Sequence, residues 1–404
     1  MLASTTRNLD SPHWPRDKER HERGTMPHEV ETIPLMAPGP GTSRALTVHR
    51  FGRRGVGPKL YFQAALHADE LPGTLVLNHL IGWLAAADAR GEVAADITVL
   101  PYANPVGLAN RIHGYHLGRY DLDGDGNFNR WYPRLSDKIA DRIGNRLSDD
   151  AGENKAVVMA AAREAVADWN AEGEANVLRK ALMALSIDAD MIFDLHCHGA
   201  AVQYAYFPQA QWERYGDLTA ELGCRAVLFF PTDEGSTFDA VATVLMHDLA
   251  ARFPDRPMPV PPFTTTLELR GQQDVGDRIA EGDARAILRF LQRHGMVAGE
   301  PGLPHAPLCK PTPLEGSDTM VAPCAGVVSY RVDLGDHVKA GDVVADIVDP
   351  AVLDFAAART PVATRTDGIV YGRNLSMLVK PGQSFAVVAG DHALPPPDLP
   401  VIDH

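Results

Sequence analysis

KLYFQAALHADE, residues 59–70, is the stretch from which the rest of the chain is read. Lys59–Ala65 is an apolar run of strand type, and Pro72–Leu84 follows with Leu75, Leu77, Leu80, Ile81 and Leu84 spaced for one helix face. Strand, polar turn and amphipathic helix make the opening of a βαβ unit. The turn carries His67, Asp69 and Glu70, at the place beyond a strand's carboxyl end where ligands gather in α/β folds.

Working outward, ITVLPY (97–102), MIFDL (191–195), AVLFF (226–230) and TTTLEL (264–269) read as further central strands, with helices over parts of 155–187 and 283–294. Residues 41–300 are therefore expected to form one α/β domain. Ahead of it, 1–40 is an extension whose first 25 residues are polar and charge-mixed, which predicts disorder there and makes Met26 a candidate start. Behind it, 301–315 is rich in proline, which continues neither a helix nor a central strand, and reads as a linker. Beyond the linker, 316–394 contains a quasi-repeat. Gly326-Val327-Val328 is echoed by Gly368-Ile369-Val370, and Val338-Lys339-Ala340-Gly341 by Val379-Lys380-Pro381-Gly382, which predicts a small β-barrel or sandwich of two related halves.

With 404 residues, 45% of them hydrophobic, the chain is long enough for two or three domains. Its formal net charge of −14 argues against nucleic acid or an anionic membrane surface as partner and leaves a small molecule as the default. Four scattered cysteines, Cys197, Cys224, Cys309 and Cys324, form no disulfide framework and fit a reducing cytoplasm. No apolar stretch reaches the roughly 18 residues of a membrane span.

The chemistry starts from His67 and Glu70 and gains weight from a second strand that ends in polar groups, Asp194-Leu195-His196-Cys197-His198. Catalytic zinc takes three protein ligands of N/O type and keeps one position open, and His67, Glu70 and His196 supply that set for one ion. Asp194 suits the role of a carboxylate that orients a ligand histidine. Asn104-Pro105-Val106-Gly107, Gly118-Arg119-Tyr120 and Asn127-Phe128-Asn129-Arg130 form a third group. A guanidinium stabilises a developing oxyanion without losing its proton, which suits Arg119, and a second one beside an amide suits a substrate carboxylate, which fits Arg130 with Asn129. Glu268, at the end of an apolar strand, is placed to act as general base.

Taken in order, H-x-x-E, N-P-x-G, R-Y, N-x-N-R, D-L-H and L-E-L resemble the succinylglutamate desuccinylase/aspartoacylase family of the zinc carboxypeptidase superfamily, over roughly 45–300. The resemblance implies a mixed, mostly parallel sheet flanked by helices with an appended β domain, and removal of acyl groups from N-acylated amino acids. It further implies that His67, Glu70 and His196 bind zinc, that Arg119 polarises the scissile carbonyl, that Asn129 and Arg130 hold a carboxylate, and that Glu268 is the base. The family usually has Asp-Leu-Asn-Arg where Gly126-Asn127-Phe128-Asn129-Arg130 stands, preceded here by an extra Asp-Gly-Asp-Gly, so Arg111 remains an alternative to Arg119. A metallocarboxypeptidase acting on short peptides and a non-catalytic metal-binding relative also remain open, as does a homo-oligomeric state.

Two further likenesses are set aside. Asp121–Gly126 imitates the start of an EF-hand loop, but Tyr132 stands where the bidentate Glu belongs. The C-terminal repeat resembles a biotinyl/lipoyl carrier domain, yet no lysine occurs between Lys339 and Lys380 to be modified. Cys197 reads as a packing residue rather than a nucleophile.

Overall fold

The computed structural model describes residues 28–124, 126–230 and 235–395. The tail over 1–25 and the question of a start at Met26 lie outside them. The largest sheet has nine strands, in the spatial order Glu29–Pro34, Ala45–Phe51, Asp96–Leu100, Lys59–Ala64, Met191–His198, Phe263–Gly271, Gln203–Pro208, Ala226–Phe230 and Thr312–Pro313. Lys59–Ala64 pairs in parallel with Asp96–Leu100 and with Met191–His198, which in turn pairs in parallel with Phe263–Gly271. Antiparallel pairing occurs at Glu29–Pro34 with Ala45–Phe51, at Ala45–Phe51 with Asp96–Leu100, and at Gln203–Pro208 with Phe263–Gly271. This is the mixed, mostly parallel sheet that was expected.

Alternation along the strands sorts side chains between two cores. Leu60, Phe62, Met191, Phe193, Leu195, Leu267 and Leu269 face the cluster under helices Pro72–Ala89 and Asp277–Arg293. Tyr61 and Ile192 face the opposite cluster, under Ser136–Ile143, Ala151–Ala167, Glu174–Ser186 and Ala240–Arg252. The same alternation turns Asp194, His196, Thr266 and Glu268 to the second face, so the polar groups collect at one end of one side of the sheet.

Four strands of the large sheet went unread in the sequence. Gln203–Pro208 is a central strand of six residues. Glu29–Pro34 and Ala45–Phe51 form the antiparallel edge, which places part of the predicted N-terminal extension within the sheet. Inside the proline-rich segment, Thr312 and Pro313 pair with Leu228 and Phe229 as the opposite edge. Proline fits there because an outermost strand has one side on which no amide hydrogen is required.

The C-terminal region is all β, as the repeat predicted. The two halves pair crosswise: Gly326 lies opposite Val379, and Val338 opposite Gly368. Each half thus borrows the short strand of the other. The region also joins the large domain through Ala200–Ala201, which pairs with Arg373 and Gly372, and through the Val202 amide, which donates to the Tyr371 carbonyl at 3.0 Å. Among the described residues no helix is long and apolar enough to cross a membrane.

Candidate metal centre

The chain leaves the Lys59–Ala64 strand through Ala65, whose φ of 54° is a left-handed conformation that costs a non-glycine residue energy. Of the four such non-glycine residues described, Ala65, Trp131 and Arg270 adjoin segments that carry site residues. The kink turns His67 and Glu70 inward, and Pro72 then opens the next helix, where its missing N–H has no consequence. Asn104, left without a role in the sequence reading, buttresses this turn. Its Nδ2 donates to the Leu66 carbonyl at 2.8 Å, while its Oδ1 accepts from the Gly107 amide at 2.7 Å and caps Pro105–Leu108.

Gly118 completes the cradle, with its carbonyl accepting from the Ala68 amide at 3.0 Å. A Cβ on Gly118 would stand 2.2 Å from the Asp69 nitrogen, a backbone atom that cannot move alone. Gly118→Ala is therefore expected to lower the stability of the metal-free protein by about 1–3 kcal/mol and to displace the His67–Glu70 turn. A thermal melt indistinguishable from that of the parent chain would contradict this.

His67, Glu70 and His196 are each 3% exposed, and one ligand atom from each lies within 4.8 Å of the others. His196 Nδ1 is 2.7 Å from Glu70 Oε2, and His67 Nδ1 is 3.0 Å from Glu70 Oε1. Behind these atoms each imidazole has a partner for its other nitrogen: His67 Nε2 lies 2.8 Å from Asn127 Oδ1, and His196 Nε2 lies 3.0 Å from Asp194 Oδ2. Asp194 is held in turn by Gln63 Nε2 at 3.0 Å, and Gln63 by the Tyr61 hydroxyl at 2.8 Å. Two imidazoles and a carboxylate, buried together and each oriented from behind, have the chemistry of a divalent-metal donor set.

Charge follows from this crowding. Burial alone would raise Glu70, but His67 and His196 outweigh it and hold the carboxyl well below its ordinary range. Burial alone would lower His196, yet Asp194 and Glu70 prevail and push it well above the usual histidine value. Burial lowers His67. Strand register sets Glu268 directly beside His196 on one side and Tyr204 on the other. Glu268 is 9% exposed, and burial together with the negative Glu70 raises its carboxyl to about 8. Burial also drives the Cys197 thiol far upward, against a thiolate role.

Arg119 and Arg130 both line the cavity of about 1220 Å³ that opens over these groups, as do Asn129 and Glu268. Arg119 NH1 donates to Glu70 Oε1 at 2.8 Å and lies 3.1 Å from His67 Nδ1. Arg111 is exposed on the neighbouring hairpin formed by Arg111–Ile112 and Tyr115–His116, away from the cavity wall. Asn129 is fixed through its Oδ1, which accepts from the Phe238 amide at 2.8 Å, while Arg130 NH1 donates to the Asn129 carbonyl at 2.9 Å. His198 faces the Tyr204 ring at 6.4 Å rather than the donor set. The C-terminal region supplies part of the wall through Ser317, Thr319, Tyr371 and Asn374. A second cavity, of about 780 Å³, lies around Pro58, Lys155 and Pro262 at the far ends of the same strands and contains no such donor set.

Residues 56–294, more than half of the chain, match the succinylglutamate desuccinylase/aspartoacylase catalytic domain, and the chain belongs to that family. It is 25% identical over 348 residues to the N-alpha-acetyl-L-2,4-diaminobutyric acid deacetylase of Halomonas elongata, covering 83% of each chain. Among solved structures it resembles a protein of Shewanella frigidimarina named for the same family, with a TM-score of 0.78 and 23% identity over 91% of this chain and 98% of that one. A family protein of Shewanella amazonensis gives a TM-score of 0.77 and 24% identity over 89% and 98%.

Proposed function

We propose that this protein is a zinc-dependent deacylase that hydrolyses the amide bond of an N-acyl amino acid or related small N-acyl compound carrying a carboxylate. The observation that carries this reading is the buried His67, Glu70 and His196 cluster with Glu268 in register beside it. Family membership and the deacetylase relative support amide hydrolysis. A zinc ion on these three residues would supply a Lewis acid that polarises the carbonyl and makes water acidic enough to attack near neutral pH.

The remaining roles belong to the chain. Glu268 accepts a proton from the attacking water and returns it to the leaving nitrogen, so the products are a carboxylic acid and an amine. A carboxyl whose affinity for protons is raised by burial suits both halves of that exchange. The Arg119 guanidinium donates to the carbonyl oxygen as its charge develops. Arg130 takes the substrate carboxylate, with Asn129 beside it held by Phe238.

The cavity of about 1220 Å³ exceeds what a small acyl amino acid fills and favours a second reading, carboxypeptidase action on short peptides. A panel of N-acetyl, N-succinyl and N-formyl amino acids and short peptides, assayed on zinc-loaded protein, separates the two. Free amino acid released from the acyl compounds is the expected result. Release only of C-terminal residues from peptides would transfer the assignment to the second reading, and zinc retention with no hydrolysis of any substrate would defeat both.

A further inference from the structure

The Gly126–Asn127 strand is the return arm of a short hairpin whose other arm is Tyr120–Asp121. The two candidate helpers of the donor set, Arg119 and Asn127, therefore hang on one small unit, closed by the Phe128 amide donating to the Arg119 carbonyl at 3.1 Å. Asn127 Oδ1 faces two nitrogens at once, the Asn129 amide at 2.8 Å and His67 Nε2 at 2.8 Å. A backbone amide can only donate, so the Asn127 atom at this point is the carbonyl oxygen and not the NH2 group. That oxygen can only accept, and the proton between it and His67 must reside on Nε2. On the other side of the ring Nδ1 faces both the Arg119 NH1, a donor only, at 3.1 Å and the Glu70 carboxylate, an acceptor only, at 3.0 Å, so the tautomer is set from the Asn127 side.

Behind Asn127 stands Arg179, on the helix Glu174–Ser186, 2% exposed and among the largest wholly buried side chains. Its NH2 donates to the Asn127 carbonyl at 3.0 Å and its NH1 to Asn176 Oδ1 at 2.8 Å. A guanidinium stays protonated even in the interior, so this brace persists at any working pH. The helix is tied back in turn by Arg44, which pairs with Glu174 at 2.6 Å and donates to the Pro105 carbonyl at 2.9 Å.

We propose that Asn127, braced by the buried Arg179, is a positioning residue that fixes His67 as the Nε2–H tautomer and so aims Nδ1 at the candidate metal position. Neither residue touches substrate. Both act through His67, and the inference rests on the metal-binding reading given above.

Metal affinity, measured by competition with a chromogenic zinc chelator, tests it apart from activity. Asn127→Leu is expected to weaken zinc binding by about 10–100-fold, and Asn127→Asp, which keeps an oxygen acceptor for both nitrogens, to restore it. Arg179→Met should weaken zinc less than Asn127→Leu does, and the double variant should be no weaker than Asn127→Leu alone, because the two act along one path. Should Arg179→Met fail to fold, Arg179→Lys enters the same cycle. Nitrogen-15 spectra of the metal-free parent are expected to show His67 protonated on Nε2. Parent-like zinc affinity in Asn127→Leu, or a parent His67 protonated on Nδ1, overturns the role of Asn127, and additive losses in the double variant overturn that of Arg179. A parent chain that takes up no zinc would instead overturn the metal reading itself.

Discussion

Glu268→Gln is expected to keep zinc at the parent affinity while turnover falls by about 10²–10⁴. The amide fills the same space beside His196 but cannot take a proton from water or return one to the departing nitrogen. Near-parent kcat in this variant would remove Glu268 from the mechanism. The same substitution has a signature in stability. In the folded, metal-free chain Glu268 holds its proton up to about 8, whereas an ordinary glutamate releases it near 4.5. Between those values the folded state binds the extra proton, so folding is progressively disfavoured as pH rises through the window. Gln does not titrate. With metal removed, Glu268→Gln should gain stability over the parent by about 1–3 kcal/mol at pH 9 relative to pH 4. Melting curves whose offset does not change between the two pH values would contradict the buried setting of this carboxyl.

His196→Ala is expected to abolish zinc retention and with it detectable turnover, because one of the three proposed donors is gone. The loss reaches beyond the metal. His196 lies between two buried carboxylates, Glu70 at 2.7 Å and Asp194 at 3.0 Å, and its removal leaves both without their shared cation. A cost of about 3–5 kcal/mol to the metal-free fold is expected. His198→Ala serves as the contrast: its ring faces Tyr204, so zinc should stay at the parent level. Full zinc occupancy in His196→Ala after dialysis, or loss of zinc in His198→Ala alone, would show that the donor set has been wrongly drawn.

The cluster of His67, Glu70 and His196 was legible because these candidate donors close two apolar runs, and a polar group at the end of a buried strand is conspicuous in one dimension. Glu268 was legible for the same reason. Asn127 and Asn104 were not, since their work is done on partners about 40 to 60 residues away and nothing local marks an asparagine as a brace. Arg179 escaped because an arginine on an amphipathic helix is expected to face water, and only the folded chain reveals that hydrogen-bond acceptors surround it. The large sheet emerged from its apolar interior strands, whereas Gln203–Pro208 was hidden by its mixed polarity. The edge at Thr312–Pro313 was hidden by its prolines, which look like a linker until a neighbouring strand lies alongside.

The two-residue ladder between Ala200–Ala201 and Gly372–Arg373 begins two residues after His198, where the strand that carries the candidate ligand His196 ends. A module stitched on at that point cannot swing aside as a lid without tearing hydrogen bonds next to the His196 strand. The entrance to the candidate site is thus a fixed doorway whose jambs come from the large sheet and from the C-terminal region. A fixed doorway sorts molecules by shape as they arrive, so discrimination among substrates should fall on the rate of productive encounter and not on a slow closing step.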